Sequence, residues 1–490
     1  MKNKLELRYL IQDKFFIYSL LVILMLNILF LIKTFGNNWA SDDFPYIFCT
    51  KLFNLINDQN FFIYETDSSR FRPFFWFIVQ FIPSKYLVWH SFVVLIYILS
   101  SILCFIVVKK ITNDSKISFI TSVLFTLNYS ISLYSLSWGV FFGHIFNVFF
   151  GLINILIFIS IISEKKFQIW KIATFLILNL LNFTITEGGI IYIFINVVIL
   201  IFYNKEKIFK KTQFLFINFL PLIVFLSLSF ANSGSFIPTL EDRLDKDRDL
   251  KYQKIFNPEG KNTIYFYRST YAPRDVAGYT LRFVENLIGT FNISLLENNI
   301  RTIDKKDSVK KIIKKNFNIL ALFIFILFLI FFIYLLKQLK IKKNISEYYF
   351  FIALFVTVIL IYNFIYFRKD INLAMAFSGS LLLAKVISDL LKMNKKFLSY
   401  FLISLYSLPT ILSFLIGFNY YGDFNEYSNK KLMQKYNQNL NIEKDKNLFL
   451  KNDSNFKCFY FYHKYDDHEE ELKFYKSKNL HTFFIKFNEY

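Results

Sequence analysis

Residues 15–48 read "FFIYSLLVILMLNILFLIKTFGNNWASDDFPYIF". The first 21 are apolar apart from Ser19, Asn27, Lys33 and Thr34, long enough to cross the hydrocarbon core of a bilayer as a helix. Asp42 and Asp43 follow between Trp39 and Phe44, a few residues beyond the end of the run. The run is too long for a typical signal-peptide core and no small-x-small cleavage site follows, so a retained helix is expected. A carboxylate pair in an aromatic setting at a membrane edge then needs an explanation.

Similar apolar runs recur along the whole chain. Hydrophobic residues make up 55% of the 490, with 65 Phe, and the mean hydropathy is +0.39. That composition is too greasy for a soluble domain and points to an all-α polytopic membrane protein. The runs place helices at 15–35, 86–108, 117–136, 138–162, 167–185, 189–203, 213–231, 316–336, 347–367, 371–391 and 397–418, about eleven transmembrane spans.

Every second connection is basic. The set runs through Lys2, Lys4, Arg8 and Lys14; Lys109, Lys110 and Lys116; Lys165 and Lys166; Lys205, Lys207, Lys210 and Lys211; Lys337, Lys340, Lys342 and Lys343; and Lys392, Lys395 and Lys396. Lysine concentrated in alternate loops is the positive-inside pattern. It accounts for much of the +21 net charge without nucleic acid as a partner. The pattern predicts a cytoplasmic N-terminus and an external C-terminus. The predicted arrangement is a transmembrane module over 1–418, with external loops at 36–85 and 232–315, and an external C-terminal domain over 419–490.

The two extramembrane pieces differ in character. Within 232–315, "DVAGYTLRFVENLIGTF" has the apolar spacing of an amphipathic helix lying on the protein or the membrane surface. The tail carries "NLFL", "CFYFY" and "TFFIKF", short β-prone runs that suit a small α/β or β domain. Its "HKYDDHEE" (463–470) lacks a metal-ligand spacing and reads as a solvated helix start. The three cysteines, Cys49, Cys104 and Cys458, form no metal or redox motif.

The middles of the spans are nearly free of ionisable residues. Lys171, Lys385 and Asp389 fall near basic ends, where long side chains reach water, and His90 and His144 fall near the other ends. An ion-coupled transporter keeps such groups at mid-depth. The chemically rich segments instead share the external side. Asp42 and Asp43 offer a general base for an acceptor hydroxyl or amine, or else a loop pair capping a helix. Arg70 and Arg72 in "SSRFRPFFWF" suit phosphate oxygens or interfacial anchoring, with Pro73 expected to open a short helix that sets their direction. Glu187 in "NFTITEGGIIY" would cap the next helix or bind sugar hydroxyls, acceptor or metal. Trp138 and His144 in "SWGVFFGHIF" offer a stacking platform and a diphosphate partner, or belong to the aromatic belt and a helix start. Arg368 in "IYFRKDINLA" is positive on the disfavoured side.

Taken together, the early "SDDF" loop, the "RFRPFF" segment, "TITEGG" between two spans, the late "FRKD" and the large loop after the seventh span resemble the GT-C membrane glycosyltransferases. In "TITEGG", Thr186 stands where that family often has lysine. The resemblance implies transfer of a sugar from a polyprenyl-phosphate carrier to a cell-envelope lipid, glycan or protein acceptor, generally with inversion. It implies Asp42 as base with Asp43 beside it, and Arg70, Arg72 and Arg368 neutralising the departing phosphate. It leaves Glu187, His144 and Trp138 to bind substrate. The sequence requires no cofactor; some relatives use a divalent metal, and the metal is left open. The absence of a Walker or dinucleotide glycine motif agrees with a carrier-lipid donor. A polysaccharide polymerase or ligase, with its arginines in "YRSTYAPRDVAGYTLR", and a non-enzymatic lipid-oligosaccharide flippase are the alternatives. The Ile, Lys, Asn and Phe excess fits an AT-rich bacterial genome and a bacterial cytoplasmic membrane.

The alternation of basic connections generates a direct prediction. Alkaline phosphatase fused after Lys166, Lys211 or Lys343 should be inactive, and fused within 36–85 or after residue 418 it should be active; the reverse pattern would invert the topology.

Overall fold

The computed structural model describes residues 11–34, 71–82, 86–128, 142–164, 168–203, 208–237, 348–365 and 373–412, with isolated positions between 283 and 337. Eleven α-helices stand in the described residues, and no strand among them forms a sheet. They are α1 (Lys14–Thr34), α2 (Pro73–Phe81), α3 (Tyr86–Thr112), α4 (Ser115–Thr126), α5 (Phe142–Ser163), α6 (Ile169–Ile185), α7 (Ile191–Tyr203), α8 (Ile208–Ser233), α9 (Tyr348–Ile365), α10 (Leu373–Lys392) and α11 (Lys396–Leu412). A 3-10 turn, Glu187–Ile190, joins α6 to α7. The expected span at 316–336, the C-terminal domain 419–490 and most of the two loops lie outside the described residues.

Five helices, α1, α3, α5, α8 and α10, are long and apolar enough to cross a membrane, and α4, α6, α7, α9 and α11 are shorter apolar helices. Buried helices in lipid must satisfy every backbone polar group internally, which is why the bundle is all helix. α10 lies at its centre with its whole apolar window buried, packed on α4, α9 and α11. α1 and α8 sit outside it, their windows only about a quarter buried, and present Leu21, Met25, Phe216 and Phe230 outward. Where the 232–315 segment is described, Phe283 and Leu287 are helical and pack on the core, and Thr290 is buried against α10.

The helix expected over 117–136 ends as an α-helix at Thr126. The reason is local. The Tyr97 hydroxyl donates to the Thr126 carbonyl at 2.7 Å. Asn128 is drawn off the helical path, its Nδ2 donating to the Tyr406 hydroxyl, which also meets Ser380 Oγ.

At the lysine-rich end, asparagines replace the glycines that usually close helices. Asn113 and Asn394 follow α3 and α10 with φ 54° and 61°, the left-handed conformation asparagine tolerates at a helix C-terminus. Asp114 then caps α4, accepting from the backbone N–H groups of Lys116 and Ile117. Asp13, just before α1, accepts from Ser115 and pairs with Lys109 at 3.5 Å. Burial raises its pKa, but the hydrogen bonds from Ser115 and the Phe15 N–H, with the charge of Lys109, hold it below the ordinary carboxylate value.

Lys385 and Asp389 do not reach water as expected. Both are buried on α10, paired at 3.2 Å, with the Tyr348 hydroxyl of α9 donating to Asp389 Oδ2 at 2.6 Å. Lys392 extends the group to Asp114 of α4. Lys171, which is partly exposed, bonds to Ser160 of α5 and to Glu164 just beyond it. Neighbouring helices cover Lys385, so neutralisation inside the protein replaces snorkelling there.

Removing one member of a buried ion pair strands the other. Asp389→Leu should therefore cost about 3–5 kcal/mol, and Lys385→Met with Asp389→Leu should recover most of it, read by thermal unfolding in detergent. Equal losses in the single and double variants would deny the coupling.

Candidate functional site

The sequence predicts that several motifs share one end of the bundle, and three of them meet there. Pro73 opens α2 as expected from its fixed φ and missing N–H, and Arg72 is the residue before it, with φ −131° and ψ 52°. Its guanidinium stands 6.0 Å from the ring centre of Phe75 and the residue is 9% exposed. Phe75 stacks on Phe142 at 4.8 Å, and Phe142 packs against Trp89 at 5.1 Å. An aromatic bed from α2, α3 and α5 thus lies beneath a buried arginine.

Gly143 brings the second and third motifs together. A Cβ there would stand 3.2 Å from Ile185 Cγ2 and from Thr186 Cγ2, and 3.3 Å from Phe75 Cδ2. Only a residue without a side chain lets α2, α5 and the end of α6 approach this closely. "RFRPFF", "FFGH" and "TITEGG" therefore converge at one point, although 72 and 187 are far apart in the chain. His144, the residue after Gly143, is half-buried in the first turn of α5, and His90 is buried in the first turn of α3.

Glu187 is the most unusual group of this set. It is 1% exposed, Oε2 has no hydrogen-bond partner, and the carboxylate forms no ion pair among the described residues. It does not serve as a cap, since the residue at the turn's N-cap position is Thr186 and no side chain bonds there. A buried polar group without a partner is rare and costly, and in native proteins it marks a group kept for something else. Thr186 Oγ1 and Asn182 Nδ2 beside it are also buried without a partner.

The turn itself is held by residues that the sequence reading did not single out. Asn147 of α5 and Asn182 of α6 bond side chain to side chain at 2.8 Å. The available signal was polar amides inside apolar runs, with Asn147 four residues after Gly143. Two further amide ties, Asn154 to Asn179 and Asn196 to Asn218, join α5 to α6 and α7 to α8. Asparagine is a common interhelical tie in membranes.

Asp42, Asp43, Arg70, Trp138 and Arg368 lie outside the described residues. Of the expected site, the described residues bring Arg72, His144 and Glu187 to one end of the bundle. No group of three or more His, Cys, Asp or Glu side chains among the described residues could hold a metal ion.

The helices and their composition define a multi-pass, all-α membrane protein. No protein-family profile matches the sequence, and no curated protein matches it.

A carboxylate buried without a partner costs stability whatever its use. Glu187→Met should therefore stabilise the folded protein by about 1–3 kcal/mol, seen as a raised Tm in detergent. A lowered Tm would mean that the carboxylate is satisfied in the native protein.

Proposed function

We propose that this protein is an integral-membrane glycosyltransferase that moves a sugar from a polyprenyl-phosphate carrier to a cell-envelope lipid, glycan or protein acceptor on the external face. The observation that carries the proposal is the approach of a buried arginine and a buried glutamate whose Oε2 has no partner among the described residues, at one end of the bundle, through the contacts of Phe75, Gly143 and Thr186. A lipid-linked sugar phosphate presents an anion beside a set of hydroxyls. Arginine suits the first, with its fixed charge and planar fork, and a carboxylate suits the second.

The transfer needs three tasks. A base removes the proton from the acceptor hydroxyl as its oxygen attacks the anomeric carbon. The bond from that carbon to the phosphate oxygen breaks with inversion, and the electron pair leaves on the phosphate. A cation then stabilises the charge gathered there, commonly a large contribution to such a step. Asp42, with Asp43 beside it, is assigned the base, Arg70, Arg72 and Arg368 the phosphate, and Glu187, His144 and Trp138 the sugar or acceptor. These assignments rest on the GT-C-like arrangement of the sequence motifs and on the convergence of Arg72, His144 and Glu187.

The buried Lys385–Asp389 pair is the one feature favouring transport, because ionisable groups inside a bundle often mark an ion path. Its ties to Tyr348 and, through Lys392, to Asp114 join α9, α10 and α4 at the lysine-rich end, away from Arg72 and Glu187. It is read as a structural clamp.

The test is sugar transfer from a polyprenyl-phosphate-linked donor in membranes carrying the full chain. Asp42→Asn should abolish transfer with insertion intact, and Arg72→Ala should raise the donor KM at least tenfold, about 1.4 kcal/mol of lost phosphate binding. Full activity of Asp42→Asn would remove the base assignment, and an effect of Arg72→Ala confined to the acceptor would remove the phosphate role.

A further inference from the structure

We propose that Asn147 is the positioning residue of this site: its one side-chain amide, reaching across from α5, fixes the turn on which Glu187 stands. Nδ2 of Asn147 lies 2.8 Å from Oδ1 of Asn182, 3.2 Å from the carbonyl oxygen of Thr186 and 3.3 Å from that of Asn182. The two carbonyls are at the end of α6, where each has one backbone donor, the Thr186 N–H at 3.4 Å for Asn182 and the Gly189 N–H at 3.1 Å for Thr186, and room for further donors. Water supplies them at an exposed helix end; here Asn147, Asn182, Thr186 and Glu187 are all buried.

The backbone leaves the helix at Thr186, with φ −149° and ψ 144°, and re-enters a 3-10 turn at Glu187. The N–H of Gly189 donates back to the Thr186 carbonyl at 3.1 Å, so that oxygen receives both the turn and Asn147. Asn147 thereby ties the last turn of α6 to the start of the next segment. Gly189 accommodates the tie, since a Cβ there would stand 3.0 Å from Asn147 Nδ2 and from Asn182 Cγ. Glu187 has no side-chain bond of its own among the described residues, so its direction is set by the backbone on either side. One amide on a neighbouring helix sets that backbone.

The same interface contains its own control. Asn154 donates to Asn179 at 3.2 Å between the same two helices, seven residues further along α5, about two turns away. Loss of that bond weakens the same helix pair without touching the turn.

What Glu187 does rests on the proposed transfer reaction; where it is held does not. The experiment uses the full chain in native membranes with Cys49, Cys104 and Cys458 replaced and Glu187→Cys as reporter. The rate of modification by a small aqueous methanethiosulfonate is measured. The residue should react slowly, and adding Asn147→Ala should accelerate it on the order of tenfold, whereas Asn154→Ala should leave the rate unchanged. Asn147→Ser, a smaller perturbation, takes the place of Asn147→Ala if the latter fails to insert, with acceleration again expected. An unchanged rate with either Asn147 variant, or equal acceleration by Asn154→Ala, overturns the proposal. In the natural chain, Asn147→Ser should lower kcat/KM for sugar transfer, and Asn154→Ala should leave it unchanged. If the natural chain transfers no sugar, the proposed function falls and the labelling result stands by itself.

Discussion

A helix that ends inside a packed bundle must find donors for its last carbonyls where no water reaches them. That constraint shapes this protein at two places. At the end of α4, the Tyr97 hydroxyl takes the Thr126 carbonyl, and Asn128, Tyr406 and Ser380 form a closed polar group around it. At the end of α6, Asn147 adds a side-chain donor to the carbonyls of Asn182 and Thr186, which the backbone N–H groups of Thr186 and Gly189 also meet. The end of α6 is followed at once by a carboxylate whose Oε2 has no partner among the described residues, and this marks it as a candidate site.

The cost of such a carboxylate is borne by the packing around it. Gly143 and Gly189 remove the side chains that would push the neighbouring elements apart, and Phe75, Phe142 and Trp89 fill the space beneath Arg72 with aromatic rings. At the lysine-rich end, buried charge is treated in the opposite way. Lys385, Asp389, Tyr348, Lys392 and Asp114 satisfy one another, and Asp13, Lys109 and Ser115 form a second such group. Completed polar groups hold the helices in register, and an incomplete one is left where chemistry is proposed.

Much of this architecture follows from features visible in the sequence. Apolar runs of bilayer length produced helices wherever the structure describes them, because lipid offers the backbone no alternative. Lys109 pairs with Asp13 and Lys392 with Asp114 at the ends of their helices, and Pro73 opens its helix. The failures are those of a one-dimensional pattern. Hydropathy cannot register that Tyr97, some thirty residues earlier, will cap α4 at Thr126. Nor can it tell that Lys385 faces Asp389 and Tyr348 and not the lipid headgroups. Asn147 and Asn182 appeared as isolated polar residues in greasy runs, and only the packing of α5 on α6 pairs them. Glu187 was visible as a candidate from its motif, but its lack of any partner is a property of three dimensions.

The central claim is that Arg72 and Glu187 together face a lipid-linked sugar phosphate. Native mass spectrometry of the full chain, released from its own membranes in mild detergent, tests it most directly. The account predicts an adduct with the mass of a polyprenyl-phosphate-linked sugar, lost in Arg72→Ala and weakened in Glu187→Met while Asn154→Ala retains it. An adduct that survives both substitutions, or bound lipid without sugar or phosphate, would contradict the account.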